Sequence, residues 1–227
     1  MPKLPPTSFD AAYFRRYYFD RGTRVTTPRE MQDRAALIAA VLRQARIPVK
    51  SVLDAGCGTG WLRAPFARVL PRAAYVGLEW SEYLCARYGW IRGSIADFAP
   101  GRRFDLVVCY DVLQYLDDRA AARAIANFAR LASAALYVSA LTTEDWRENC
   151  EQGLTDGDVH LRPAGWYRQR LSKSFRYAGL GVWIPKAVQA MLWELERCPA
   201  PLRRARGSSR RAPDARARPR RSPRAGR

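Results

Sequence analysis

At 227 residues, 48% hydrophobic and 11% aromatic, the chain is long enough for one sizeable core and too short for two generous ones. No apolar run approaches the about 18 residues of a membrane span, and Met1-Pro2-Lys3-Leu4-Pro5-Pro6 has no apolar stretch behind its charge, so a soluble, cytoplasmic protein is expected. Five cysteines (Cys57, Cys85, Cys109, Cys150, Cys198) form no C-x-x-C pair, which speaks against a disulfide or zinc framework and for buried thiols in a reducing compartment; no metal is expected.

The first segment, Phe9 to Asp20, is crowded with aromatics and reads either as an amphipathic helix packed on the main body or as a lid over a site. Thr27-Pro28-Arg29-Glu30 is a helix start, with Thr27 as cap, Pro28 at the first helical position and Glu30 closing a capping box. Met31, Ala35, Ile38, Ala39 and Leu42 follow at helical spacing. Residues 1–47 thus form a helical, aromatic cap region. From Pro48 onward strands and helices alternate. Strands are predicted at Ser51–Asp54, Tyr75–Glu79, near Trp90–Ile95, at Phe104–Tyr110 and at Leu136–Leu141, with helices at Trp61–Leu70, Ser81–Tyr88 and Arg119–Ala132. Short connections in a β/α alternation predict a doubly wound α/β fold with a mostly parallel sheet. A polar loop, Thr142–Leu161, then leads to a helix at about Pro163–Phe175 and two apolar runs, Ala178–Ile184 and Ala190–Leu195, predicted to form a terminal antiparallel hairpin. The main domain spans 48–198.

The tail, 199–227, holds 11 arginines and one acid, Asp214, and so carries more than half of the net charge of +18. With almost nothing apolar to bury, it is expected to be disordered. Blocks of arginine neutralise phosphates, so one reading is weak contact with nucleic acid or an acidic surface. The other is an incidental tail, since Arg, Pro, Ala and Gly all have GC-rich codons.

Val52-Leu53-Asp54-Ala55-Gly56-Cys57-Gly58-Thr59-Gly60 runs from an apolar strand into an acid and three glycines at alternate positions. Such a loop is needed where backbone must turn with positive φ or approach a ligand more closely than a Cβ permits. A dinucleotide site would want G-x-G-x-x-G, and three residues after Gly58 stands Trp61. The order D-x-G-x-G-x-G instead resembles the first motif of class I S-adenosylmethionine-dependent methyltransferases, and the resemblance extends motif by motif over Ser51–Leu141. It implies a Rossmann-like, seven-stranded sheet and S-adenosyl-L-methionine as the cofactor, without a metal. By the same resemblance Glu79 is the acid that takes the ribose hydroxyls, Asp97 the acid near the adenine amino group, and Tyr110 and Asp111 the fourth-strand edge facing the methionine part. Asp54, Gly56, Cys57, Gly58, Gly60 and Trp80 complete the expected cofactor set. Glu79 and Asp97 also read as helix caps or loop acids, Asp105 and Asp117 as a turn acid and a cap, and Trp61 as either a cofactor wall or core.

Methyl transfer from a sulfonium is an in-line displacement, so a base is needed only when the acceptor arrives protonated. The family's adenine and glutamine N-methylating members carry [DNS]-P-P-[YFW] after the fourth strand; Tyr110-Asp111-Val112-Leu113 stands there instead, which speaks against those acceptors. Many small-molecule members carry a histidine a little farther on, where this chain has Gln114 and Tyr115. The lone histidine, His160, lies in an acid-rich stretch after the fifth strand, and its ordinary pKa suits proton removal. His160 with Asp158 and Tyr115 is therefore the candidate catalytic set, and Asp158, Arg162, Trp146, Trp166 and Tyr167 are candidates for the acceptor pocket. The expected activity is methyl transfer to oxygen or nitrogen of a small molecule; the alternatives are an RNA or protein acceptor, or cofactor binding without catalysis.

Overall fold

The computed structural model describes residues 9–193 and Leu195. Asp10 opens the first helical turn, α1 (Ala11–Phe14), by accepting the N–H groups of Ala12 and Tyr13, and the chain continues through a π-helical turn, Arg15–Phe19. The capping box at Thr27 forms: its hydroxyl accepts from the Glu30 N–H at 3.2 Å while the Glu30 carboxylate accepts from the Thr27 N–H at 2.9 Å. It starts α2 (Pro28–Gln44), whose buried face is Met31, Ala35, Ile38, Ala39 and Leu42.

Alternation then proceeds through β1 (Ser51–Ala55), α3 (Arg63–Val69), β2 (Ala74–Glu79), α4 (Glu82–Tyr88), β3 (Ile91–Arg92), β4 (Phe104–Tyr110), α5 (Asp118–Leu131) and β5 (Ala132–Ser139). Two short helices, α6 (Thr143–Glu148) and α7 (Ala164–Leu171), precede β6 (Phe175–Gly179) and β7 (Val182–Pro185). The seven strands lie in the order β3-β2-β1-β4-β5-β7-β6, parallel from β3 to β5, with β7 antiparallel to both neighbours. Because successive strand residues face opposite sides, β4 feeds two cores. Val107 and Cys109 join Ile125, Phe128, Leu171 and Phe175 on one face; Leu106 and Val108 join Ile38, Leu42 and Phe66 on the other. Continuous apolar runs in central strands are the signature of a sheet covered on both sides.

The terminal hairpin forms at a different place from the one predicted. Its turn lies inside the run Ala178–Ile184, where Gly179 (φ 108°), Leu180 (φ 47°) and Gly181 (φ 82°) reverse the chain. Gly181 is required: a Cβ there would sit 2.9 Å from Tyr137 Cε2 and 3.1 Å from the Val138 carbonyl oxygen. Phe175 therefore belongs to β6 rather than to the preceding helix. Ala190 and Leu192 pack partly against the α2-side core, and Met191 N–H bonds the Ala45 carbonyl at 3.1 Å. Thr142, expected in a loop, instead caps α6 by accepting from the Asp145 N–H. Asp105 accepts from the Lys50 and Ser51 N–H groups, and Asp117 caps α5, the two bland roles read for them. The expected tail, 199–227, lies outside the described residues.

Candidate active site

The carboxyl ends of β1, β2 and β4 open onto a cavity of about 390 Å³, closed on its other side by Phe9, Tyr13, Phe14 and Tyr18 of the N-terminal segment. This edge is where an open α/β sheet presents its ligand site. The glycine loop forms one wall. Gly56, Gly58 and Gly60 all have positive φ (79°, 52° and 73°). A Cβ on Gly56 would meet Val112 Cγ2 at 2.2 Å and one on Gly60 would meet Trp90 Cζ2 at 2.5 Å, so these two are closed in by protein. A Cβ on Gly58 meets nothing within 4 Å, and Gly58 lines the cavity. The loop thus bares its backbone to the cavity, as close approach of a ligand requires.

Glu79, at the end of β2, is buried and fixed by three backbone donors: Gly58 N–H at 2.7 Å on one oxygen, Trp80 and Ser81 N–H at 2.9 Å each on the other. A carboxylate has about four acceptor sites, so the fixed group keeps about one of them free toward a ribose hydroxyl. Asp97 lines the far end of the cavity, exposed and within 3.5 Å of Arg123 Nε. Trp80, itself exposed, and Ser94 and Ile95 complete that end. Asp54 and Cys57, by contrast, lie outside the wall. Asp54 is buried beneath the loop, accepts from the Tyr75 hydroxyl at 2.5 Å, and is pushed up to about 7 by burial, with Glu79 adding to the rise and the Tyr75 bond opposing it. The buried Cys57 thiol is likewise pushed up by burial. Both support the loop from below.

At the other end stand Tyr110, Asp111 and Tyr115. Asp111 adopts φ 54°, a left-handed conformation that asparagine and aspartate tolerate best among side chains with a Cβ. Burial pushes its carboxyl up to about 6; hydrogen bonds from Tyr110 and Gln114 and the nearby Arg34 pull the other way, and Asp145 raises it. Tyr115 Oη lies 2.8 Å from Tyr13 Oη, and the Tyr13 hydroxyl also donates to Asp156 at 3.1 Å. Burial raises both phenols, so they are neutral donors. The N-terminal segment is pinned elsewhere by Ser81, which donates to the Phe9 carbonyl at 2.5 Å, and by Trp61, whose ring meets Tyr18 and Phe19 edge-on. Trp61 therefore braces that segment rather than walling the cavity.

The segment after β5 places His160, Asp158 and Arg162 outside the cavity wall. His160 is exposed and absent from the cavity wall; its N–H bonds the Gln114 carbonyl at 2.7 Å, and its ring lies toward Asp117. Asp158 is also exposed, in a turn where its N–H bonds Asp156. Arg162 is buried and structural: it donates to the Leu113 and Leu116 carbonyls, to Asp118 at 2.7 Å and to the Tyr167 hydroxyl at 3.2 Å. Trp166 and Tyr167 pack with the core on the α5 face. What joins Tyr13 of the cavity wall to Asp156 is a contact across 143 residues, for which local spacing holds no signal.

Among solved structures, the sugar N-methyltransferase KedS8 from Streptoalloteichus sp ATCC 53650 superposes with a TM-score of 0.61 at 19% identity, covering 82% of this chain and 96% of that one. DesVI from Streptomyces venezuelae gives 0.55 at 18% identity over 74% and 94%. Magnesium protoporphyrin IX methyltransferase from Synechocystis PCC 6803, with bound S-adenosylmethionine, gives 0.55 at 19% identity over 77% and 90%. These likenesses establish the fold. Comparison with curated proteins found no match. Residues 52–134 match the family model described as "Methyltransferase domain". Residues 52–134 therefore form a methyltransferase domain. The matched segment runs from the start of β1 into β5 and so contains the glycine loop, Glu79, Asp97, Tyr110 and Asp111. Among the described residues no group of three or more His, Cys, Asp or Glu side chains is arranged for a metal ion, and no helix is long and apolar enough to cross a membrane.

Proposed function

We propose that the chain is an S-adenosylmethionine-dependent methyltransferase that acts on a small-molecule acceptor, at nitrogen or oxygen, held between the β4 edge and the aromatic lid. The observation that carries this reading is the lid itself. Phe9, Tyr13, Phe14 and Tyr18 close over a cavity of about 390 Å³, within the roughly 300–1,000 Å³ of small-ligand sites. Two of the similar structures are titled as enzymes of small acceptors, a sugar and a porphyrin. S-adenosylmethionine, when bound, supplies an electrophilic methyl group on a sulfonium.

The residues around it fit that guest. The bare Gly58 backbone admits close approach, fixed Glu79 suits a ribose hydroxyl, Asp97 lies at the adenine end, and Tyr110 and Asp111 face the methionine end. The lid excludes water and holds the acceptor in near-attack geometry, the main source of rate in a displacement of this kind. His160, exposed and outside the wall, is given no part in proton transfer. The chain divides in this reading into a cap (1–47), the catalytic domain (48–198) and a basic tail (199–227).

Incubation with labelled S-adenosylmethionine and separated small-molecule, RNA and protein fractions tests the reading. Label in the small-molecule fraction is the expected result; label confined to RNA or protein rejects it.

A further inference from the structure

The chain carries a net charge of +18, yet its cavity wall holds three carboxylates, Glu79, Asp97 and Asp111, and among the described residues no lysine, arginine or histidine. Glu79 and Asp97 stand at the cofactor end and are accounted for by it. Asp111 is on the β4 edge at the methionine end, where the methyl group would be delivered to an acceptor, under a wall rich in phenols: Tyr13, Tyr18, Tyr110 and Tyr115. We propose that the acceptor is an amine that enters as its ammonium ion, is held by Asp111 and the surrounding aromatic rings, and gives its proton to the Asp111 carboxylate before transfer. The inference rests on the small-molecule reading above and names the substrate class and the proton acceptor of that site.

Carboxylate beside aromatic faces is the combination that stabilises an organic cation, the rings through their quadrupoles and the acid through its charge. The same wall disfavours phosphorylated or carboxylated acceptors, which would bring a like charge to a desolvated acid. The groups that face Asp111 leave it available. Arg34 of α2 is the cation nearby, but its guanidinium is stacked 3.9 Å from the Tyr110 ring centroid, donates to the Tyr110 and Tyr137 hydroxyls, and is not part of the wall. Tyr110 and Gln114 donate to the carboxylate. Tyr18 and Tyr115 face it as neutral phenols, and Cys109 and Cys150 as thiols raised by burial. The Asp145 carboxylate of α6 also faces it, and its repulsion adds to the burial that raises Asp111 to about 6. Asp111 is thus ionised at neutral pH and is a stronger base than an ordinary carboxylate. Burial moves both partners toward neutrality, raising the acid and lowering the ammonium, which favours the proton's passage.

The step balances. One N–H proton of the ammonium passes to an Asp111 oxygen and leaves a nitrogen lone pair. That pair forms the N–C bond as the methyl's bond to sulfur breaks, and the electrons of the broken bond remain on sulfur as a thioether. The methylated product leaves as an ammonium, and Asp111 gives its proton to solvent.

The test uses the full chain saturated with S-adenosylhomocysteine and a panel of small primary and secondary amines, each matched by the alcohol and the carboxylate of the same carbon skeleton. Calorimetry should show the best amines binding at least about tenfold more tightly than their matched alcohols, with affinity falling as pH drops through about 6. Labelled S-adenosylmethionine should put label on the amine nitrogen. Asp111→Asn, which keeps a residue suited to φ 54°, should lower kcat/KM for that amine by about 10²–10⁴-fold and abolish the pH dependence of binding. Its circular dichroism spectrum and the cooperativity of its melting should match those of the parent chain, which shows that the variant is folded. Alcohols binding as well as amines, label on oxygen, or an Asp111→Asn variant with unchanged amine kinetics would each overturn the assignment while leaving a small-molecule acceptor intact. Label confined to RNA or protein would overturn both.

Discussion

A side chain at Gly58 meets no protein atom within 4 Å, whereas one at Gly56 comes within 2.2 Å of Val112 Cγ2, although both glycines have positive φ. The two positions therefore separate binding from stability. Gly58→Leu is expected to cost about 1–2 kcal/mol of backbone strain and to weaken S-adenosylhomocysteine binding by more than about tenfold, because the new side chain fills the cofactor's space. Gly56→Leu carries the same strain plus about 1–3 kcal/mol or more of overpacking. Calorimetric binding and melting measured side by side distinguish the two. Charge at the site sets a pH profile. Asp54 is raised to about 7 and Asp111 to about 6, so the native state holds these protons more tightly than the unfolded chain does. Their contribution to stability is full near pH 4 and falls as pH rises through 6 and 7, each by up to about 1.4 kcal/mol per pH unit. Asp117, Glu144 and Asp145, lowered by hydrogen bonds they accept, act in the opposite direction and lose their contribution as pH falls below about 4. Tm is therefore expected to peak near pH 4, and Asp54→Asn to flatten the fall above it. The glycine loop was legible in the sequence because positive φ selects glycine directly. The roles of Asp54, Arg162 and His160 were not, because which of three polar residues is buried is decided by packing across the sheet.

The N-terminal element is held over the cavity by few polar bonds, and these can be removed singly. Tyr13→Phe deletes the bonds to Tyr115 and Asp156 while keeping the ring contact with Phe9. At about 0.5–1.5 kcal/mol per hydrogen bond, release of bound S-adenosylhomocysteine should become several-fold faster in stopped flow, with Tm little changed. Arg162→Ala is expected to do the reverse. It strands the Leu113 and Leu116 carbonyls, at about 1–3 kcal/mol for each buried group left unpaired, and lowers Tm, whereas His160→Ala leaves turnover unchanged. At this scale the β/α alternation and the capping box of α2 were readable because each rests on local periodicity or a local side-chain bond. The hairpin was misplaced because its turn, Gly179-Leu180-Gly181, lies within one apolar run whose hydrophobicity masks it. The lid was ambiguous for a similar reason: aromatic residues at helical spacing pack on a core and line a cavity equally well, and Phe14 does both.

Taken whole, the molecule separates its charges: three carboxylates on the cavity wall, and a basic excess concentrated at the far end of the chain. Among the described residues the cavity wall holds no arginine, so the effects of the 11 arginines of residues 199–227 should be separable from catalysis. If the tail is an arm for nucleic acid, the full chain binds single-stranded RNA without sequence preference, and its log affinity falls with log salt at a slope no steeper than about −0.7 per engaged arginine. Ending the chain at residue 198 should abolish that binding and leave kcat/KM for the small acceptor within about twofold, because distant, independent sites do not couple. Fluorescence anisotropy with RNA at several salt concentrations, alongside turnover of both forms, reads the two effects separately. Steep salt dependence that survives the truncation would place the basic contact on the folded part and revive a macromolecular acceptor. Its disappearance with the tail leaves the acid-walled cavity as the sole arbiter of what is methylated.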